Sequence, residues 1–302
     1  MRALRVLVGE PWDVTHSACV ANAYRESPSS SCSPGGLRAV HAALRRQTLC
    51  VCSRDEQVLA GGNVAEQVVR VGATVRKPVT RATPAVHALL DHLAAVGFEA
   101  APRALGYDAA GRQVLQYVAG TLAYELPQLR TSQLHRVGTL IRQLHDAVET
   151  FIAPHDAEWD VVIPPDRKDL ICHNDLAPWN LVCDDERWVF IDWDGAGPGS
   201  RLWDLAYAAH GFIPLSPDGD PSHDAPRLRA LADGYELTKQ QRRELPALIE
   251  AHTRGMDTLL RTSATTGAQP WARLHAEGHA DHWGPAADYI HAHLDQWRAI
   301  LK

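Results

Sequence analysis

The alternation of apolar and polar positions changes character along the chain. Residues 1–53 hold no sustained periodicity, and Ser27-Pro28-Ser29-Ser30-Ser31-Cys32-Ser33-Pro34-Gly35-Gly36 has too little apolar surface to offset its ordering entropy. This stretch reads as a disordered leader, with at most a short helix near Leu37–Arg46. From residue 57 short β-like runs appear. Gln57–Ala60 and Gln67–Val71 flank Gly61-Gly62-Asn63, and the turn Gly72-Ala73 leads into Thr74–Val79. Thr83-Pro84 then supplies an N-cap and a first-turn proline, and Val86, Leu89, Leu90, Leu93 and Val96 mark one helix face until Gly97. Two further strands, Ala104–Tyr107 and Val114–Val118, bracket the turn Asp108-Ala109-Ala110-Gly111.

After a connector at Ala119-Gly120 the pattern becomes helical. Leu134, Val137, Ile141, Leu144 and Val148 share a face, and leucine-rich, charge-laced segments follow Leu228. Residues 170–194 are the one β-like stretch of the second half. The expected division is a leader at 1–53, an N-terminal lobe at 54–119 and a C-terminal lobe at 120–302.

Composition narrows the function. Residues 54–302 carry an excess of nine acidic side chains, whereas 1–53 carry an excess of three basic ones. An acidic body lacks the clustered basic surface that nucleic acid requires. No apolar run reaches the roughly 18 residues of a membrane span, so a cytoplasmic protein is the expectation. The six cysteines form no CxxC pair, and His275, His279 and His282 lack an HExxH order, so neither a zinc ribbon nor a zincin is supported.

One segment carries chemistry. Leu170-Ile171-Cys172 leads into His173-Asn174-Asp175-Leu176-Ala177-Pro178-Trp179-Asn180, then Leu181-Val182-Cys183, a turn, and Trp188–Ile191 ending in Asp192-Trp193-Asp194. Asp175 and Asn180 share a loop, and Asp192 stands where the returning strand stops. Phosphoryl transfer needs such a set: one carboxylate to take the proton of an attacking hydroxyl, and an amide with a second carboxylate to hold a divalent cation on the phosphates. Singly, Asp and Asn are ordinary turn residues; together at this spacing they make a site.

HNDLAPWN followed by IDWD resembles the catalytic loop and metal-binding motif of the aminoglycoside phosphotransferase family. The resemblance covers about residues 57–302 and implies an α+β, protein-kinase-like bilobal fold, with a small antiparallel sheet in the N-lobe and a mostly helical C-lobe. It further implies ATP and Mg2+ as cofactors, Asp175 as catalytic base, Asn180 and Asp192 as metal ligands, and His173 as a structural member of the loop. Asp194 would be a weaker contact to the metal or to its ligands, and Asp204 the buried brace of the catalytic loop. On the nucleotide side it points to Gly61 and Gly62 at the phosphates, to Arg76 or Lys77 as the phosphate-binding cation, and to main-chain groups near Gln116 and Val118 for adenine. Strand alternation sends Arg76 and Lys77 to opposite faces, so one of them serves. The helix at 84–96 departs from the family pattern, with no glutamate for that cation and only His87, Asp91 and His92 in its place.

The function implied is transfer of the γ-phosphate of ATP to a hydroxyl of a small molecule, an aminoglycoside-like antibiotic or a metabolite. The alternative is a catalytically weak nucleotide-binding regulator on the same fold. Acceptor recognition is expected in the helices beyond residue 205, where Asp218, Asp220, Asp224, Glu236, Glu250 and Asp257 are either a lure for a polycation or a solvated face.

Overall fold

A computed structural model of the protein describes residues 56–59 and 68–302. The leader and the Gly61-Gly62 pair, with the connection between the first two strands, lie outside the described residues. The N-terminal half contains β1 (Gln57–Val58), β2 (Val69–Val71), β3 (Thr74–Lys77), α1 (Thr83–Ala95), β4 (Ala104–Tyr107) and β5 (Gln113–Gln116). The strands form one antiparallel sheet in the order β1-β2-β3-β5-β4, with Lys77 opposite Gln113 and Arg76 opposite Val114. Three strands, a helix and two strands are the order expected from the sequence, with trimmed ends. β3 stops at Lys77 because Pro78 has no N–H to continue the ladder.

Thr83 does not cap α1 as expected. It is the first helical residue, Ala82 occupies the cap, and the Thr83 hydroxyl accepts the Thr80 N–H at 2.9 Å. Gly97, at φ 82°, ends the helix in the left-handed region that glycine tolerates. Four of the five residues of the predicted face are buried, Val86, Leu89, Leu90 and Leu93 being all but inaccessible, whereas Val96 falls at the cap past the helix end and is about half exposed.

After Ala119-Gly120 the chain is largely helical with strands in the β-like stretch 170–194, as expected, and two short strands outside it, Thr121–Leu122 and Gly197–Gly199, that the pattern does not predict. β6 (Thr121–Leu122) pairs with β8 (Leu181–Cys183), which pairs with β9 (Trp188–Phe190), and β7 (Leu170–Cys172) pairs with β10 (Gly197–Gly199). A two-residue strand that pairs with residues about sixty positions away leaves no periodic signal.

Helices make up the rest: α2 (Thr131–Val148), α3 (Arg201–Phe212), α4 (Pro221–Gly234), α5 (Lys239–Thr266), α6 (Trp271–Ala276), α7 (Ala280–Ala292) and α8 (Leu294–Ile300). Leu134, Val137, Ile141, Leu144 and Val148 of α2 are buried against the main core. α2 and α4 cross at backbone contact, where a Cβ on Gly138 would fall 2.2 Å from the Leu231 carbonyl oxygen. The long α5 packs against α3, α6 and α7, and no helix among the described residues is long and apolar enough to cross a membrane.

This core encloses several neutral imidazoles. Burial lowers His173, His252 and His282 to about 4 and His210 to about 3, from an ordinary value near 6.5; His210 and His282 meet Nε2 to Nε2 at 3.2 Å. For these rings the unfolded chain takes up protons below about pH 6.5 that the fold refuses, so their contribution to stability is complete above that pH and falls toward pH 4, outweighing the single opposite contribution of each raised carboxyl. The urea midpoint is expected to decline steadily over this window, and a flat profile from pH 7 to pH 4.5 would contradict the burial of these rings as neutral groups.

Candidate active site

The loop from His173 to Asn180 is shaped by contacts that spend its polar groups one by one. Asp204, in the first turn of α3, is fully buried, and its carboxylate accepts the His173 N–H (3.1 Å) and the Asn174 N–H (2.9 Å). The same carboxylate takes a hydrogen bond from His145 Nε2 of α2 at 3.0 Å, and His145 Nδ1 lies 2.7 Å from the Tyr235 hydroxyl. Burial works against the charge of Asp204, but His145, the nearby His173 ring and the backbone amides hold its pKa below the ordinary value. Asn174 sits at φ 62°, a strained conformation for a non-glycine residue, and its side-chain amide donates to the carbonyls of Gly195 and Gly197.

His173 links the two halves of the motif. Its Nδ1 accepts the Asp175 N–H at 3.3 Å, which leaves Nε2–H to donate to the Ile191 carbonyl at 3.1 Å, while the ring rests on Trp193 at 4.5 Å. Asp175 thereby lies close enough to Asp192 for the two carboxyls to interact. Asn180 donates through Nδ2 to the Asp175 carboxylate (2.8 Å) and to the Asp175 carbonyl (2.9 Å). Burial, reinforced by the charge of Asp192 and opposed by hydrogen bonds from Tyr207 and Asn180, pushes the Asp175 carboxyl up to about 8.

The Ile191 N–H donates to the Asn180 carbonyl at 2.8 Å, so the hairpin carries Asp192 to the loop. Asp192 itself stands at φ 61°. From the sheet, Lys77 reaches across to place Nζ 2.7 Å from Asp192 Oδ1 and 2.7 Å from Asp194 Oδ2. Burial opposes the lysine charge, yet the two carboxylates outweigh it and raise its pKa above the ordinary value.

The two cations of β3 point apart, as alternation requires. Lys77 faces Asp192 and Asp194, whereas Arg76 turns to the opposite face, bonded to the Thr74 hydroxyl at 2.6 Å and 3.5 Å from Asp108. Arg76 thus lies away from the carboxylates that Lys77 meets. The Gln116 N–H is also committed, donating to the Arg103 carbonyl at 2.9 Å, and the Gln116 side chain accepts the Arg103 N–H at 3.3 Å. Val118 lies in an apolar wall with Leu122, Val182, Val189 and Ile191. Asp91 stays exposed on α1, and most of the acidic residues past 205 are already engaged. Glu250 pairs with Arg254, Asp257 with Arg261 and Asp224 with His223, and Asp220 caps α4.

Sequence reasoning did not single out Tyr207 or His145. Both act from helices that meet the loop only in three dimensions, and their sole signal is spacing: Tyr207 lies one helical turn beyond Asp204, and His145 lies on the buried stripe of α2.

The donor set fits a divalent cation. Asn180 Oδ1 is buried with no hydrogen-bond partner, while its Nδ2 is fully used. Asp175, Asp192 and Asp194 gather three carboxyl groups around one lysine, a crowding that burial makes costly to ionise and that a cation would relieve. His145, Cys172 and Asp204 also bring potential ligand atoms within 4.8 Å, but the Asp204 oxygens there are occupied by the loop brace.

Residues 147–236 match the model of the phosphotransferase enzyme family, a stretch that contains the whole catalytic segment. The trifolitoxin immunity protein of Rhizobium leguminosarum bv. trifolii is 32% identical over 202 residues, 62% of this chain and 77% of that protein. Among solved structures, a choline/ethanolamine kinase family protein from Mesorhizobium loti superposes with a TM-score of 0.56 at 19% identity, covering 82% of this chain and 93% of that one. An amicoumacin kinase in complex with AMP-PNP, Ca2+ and Ami gives 0.57 at 11% identity, covering 77% and 88%.

The brace yields a direct test. Asp204→Asn places an amide donor where N–H groups already point, so it is expected to destabilise the protein by about 2–4 kcal/mol in urea denaturation. A loss below about 0.5 kcal/mol, the range of ordinary surface changes, would show that the loop does not depend on this carboxylate.

Proposed function

The chain belongs to the phosphotransferase enzyme family, with a protein-kinase-like fold, and on that premise we propose that it transfers the γ-phosphoryl group of ATP to a hydroxyl of a small-molecule acceptor with Mg2+ as the cation. The observation that carries this reading is the convergence of Asp175, Asn180 and Asp192 in one cleft with Lys77 reaching in from the sheet. We assign residues 54–119 to the nucleotide-binding lobe and 120–302 to the catalytic and acceptor lobe.

In the proposed reaction, Asp175 accepts the proton of the acceptor hydroxyl as its oxygen bonds to the γ-phosphorus. The bond from that phosphorus to the bridging oxygen breaks, and ADP leaves. Burial has made Asp175 a stronger base than an exposed carboxylate, and Asn180 and Tyr207 fix which way it points. Asn180 Oδ1 and Asp192 would hold Mg2+, which when bound neutralises charge on the phosphates. Lys77 would contact the phosphates from the sheet. Adenine would lie toward Val118, along the apolar wall that follows β5, and Gly61 and Gly62 remain the proposed phosphate loop.

For the acceptor, the relative named for immunity to a toxin and the neighbours named as kinases of amicoumacin and of choline or ethanolamine mark two classes, an antibiotic and an amino alcohol. We propose a hydroxyl-bearing small molecule of one of these classes.

The test is Mg2+-dependent ATP turnover on a panel of both, with Asp175→Asn as control. That variant is expected to lose on the order of 10²–10⁴ in kcat while keeping its ATP affinity, because the proton acceptor matters in the transition state. Turnover within a few-fold of the parent would remove Asp175 from the role of base.

A further inference from the structure

Helix α1 has no carboxylate at the cleft. Asp91 is exposed and belongs to no ion pair among the described residues, and the helix instead brings His87, buried, stacked on Tyr107 at 5.1 Å and with an unpartnered Nε2, within electrostatic reach of Asp194. An imidazole is neutral or cationic and never an anion, so His87, whose pKa burial lowers, cannot be the counter-ion of a lysine. Lys77 is nevertheless buried and doubly paired, with Asp192 on one side and Asp194 on the other, both at 2.7 Å. Asp192 has a second duty beside Asn180 at the proposed cation site. Asp194 lies two residues on, is one-third exposed and has Lys77 as its only ion-pair partner among the described residues.

We propose that Asp194 is the positioning residue for Lys77, standing in for a helix carboxylate, so that the phosphate-binding lysine is oriented by the catalytic hairpin and not by α1. This rests on reading Lys77 as the phosphate-contacting residue of the proposed function. In many kinases a lysine–glutamate pair makes the site depend on the position of a helix. Here the lysine and its anchor move with the metal-binding loop, and α1 is fastened elsewhere: His92 Nε2 donates to the Ala147 carbonyl of α2 at 3.0 Å, and α1 packs along α2 and β4. The nucleotide site is therefore indifferent to changes on the exposed side of α1.

Two measurements separate this from rival roles. The first needs no nucleotide: a double-mutant cycle of Lys77→Met and Asp194→Asn on the urea midpoint is expected to be non-additive, whereas Lys77→Met with Asp91→Asn is expected to be additive. Additivity of Lys77 with Asp194 would overturn the pairing whatever the protein's activity. The second uses a non-hydrolysable ATP analogue at saturating Mg2+. Asp194→Asn is expected to weaken its binding and raise the KM for ATP by about tenfold, roughly one charge-assisted hydrogen bond, and Asp194→Glu to recover most of it. The KM for acceptor and the half-saturating Mg2+ should hold within about twofold, as should every constant of Asp91→Asn. A several-fold rise in the Mg2+ requirement of Asp194→Asn would make Asp194 a metal ligand instead, and an equal loss in Asp91→Asn would return the anchor to the helix. A parent protein that binds no nucleotide at all would defeat the proposed function and leave the first measurement to judge the pair.

Discussion

A carboxylate buried in a protein interior must be paid for with hydrogen bonds, and Asp204 collects its bonds so as to join the three elements of the site. Two come from the backbone of the catalytic loop and one from His145 on α2, while Asp204 itself rides on α3. Because an ionised carboxylate only accepts, every one of these partners is forced to present an N–H, which fixes the orientation of the loop and the tautomer of His145 together. The strained backbone at Asn174 is sustained by this over-determination. With Asn174 held, Asp175 has one direction in which to point, and the His173 ring carries the same order to Ile191 and so to Asp192.

The site gathers more carboxyl groups than cations, and the structure satisfies them unevenly. Lys77 meets two of them from the sheet, the Asn180 amide and the Tyr207 hydroxyl bond to Asp175, and Asn180 Oδ1 is left without a partner. An all-protein solution would have supplied a second cation. In the proposed function a metal-nucleotide would supply it from outside.

Much of this was legible in the sequence because it is local. Asp175, Asn180 and Asp192 lie within a single strand-loop-hairpin unit of fewer than twenty residues, so their convergence follows from the turn alone. The succession of strands and helix along the chain and most of the buried face of α1 were legible for the same reason, from alternation and from a helical apolar stripe. What the sequence left open depends on packing between distant segments. Alternation puts Arg76 and Lys77 on opposite faces, but which face meets the catalytic hairpin is settled only when β3 is laid against residues more than a hundred positions away. β6 pairs two residues with β8, His145 reaches Asp204 across 59 positions, and Tyr207 reaches the base from a helix whose pattern otherwise reads as plain core.

The central claim is that Asn180 and Asp192 form a cation site through which a nucleotide is held. Calorimetry of ADP binding with and without Mg2+ reads this directly, in the parent and in Asp192→Ala. The account predicts that Mg2+ tightens nucleotide binding in the parent and that most of this tightening disappears in Asp192→Ala, because the phosphate charge loses its bridge to the protein. The same Mg2+ dependence in both proteins would contradict it.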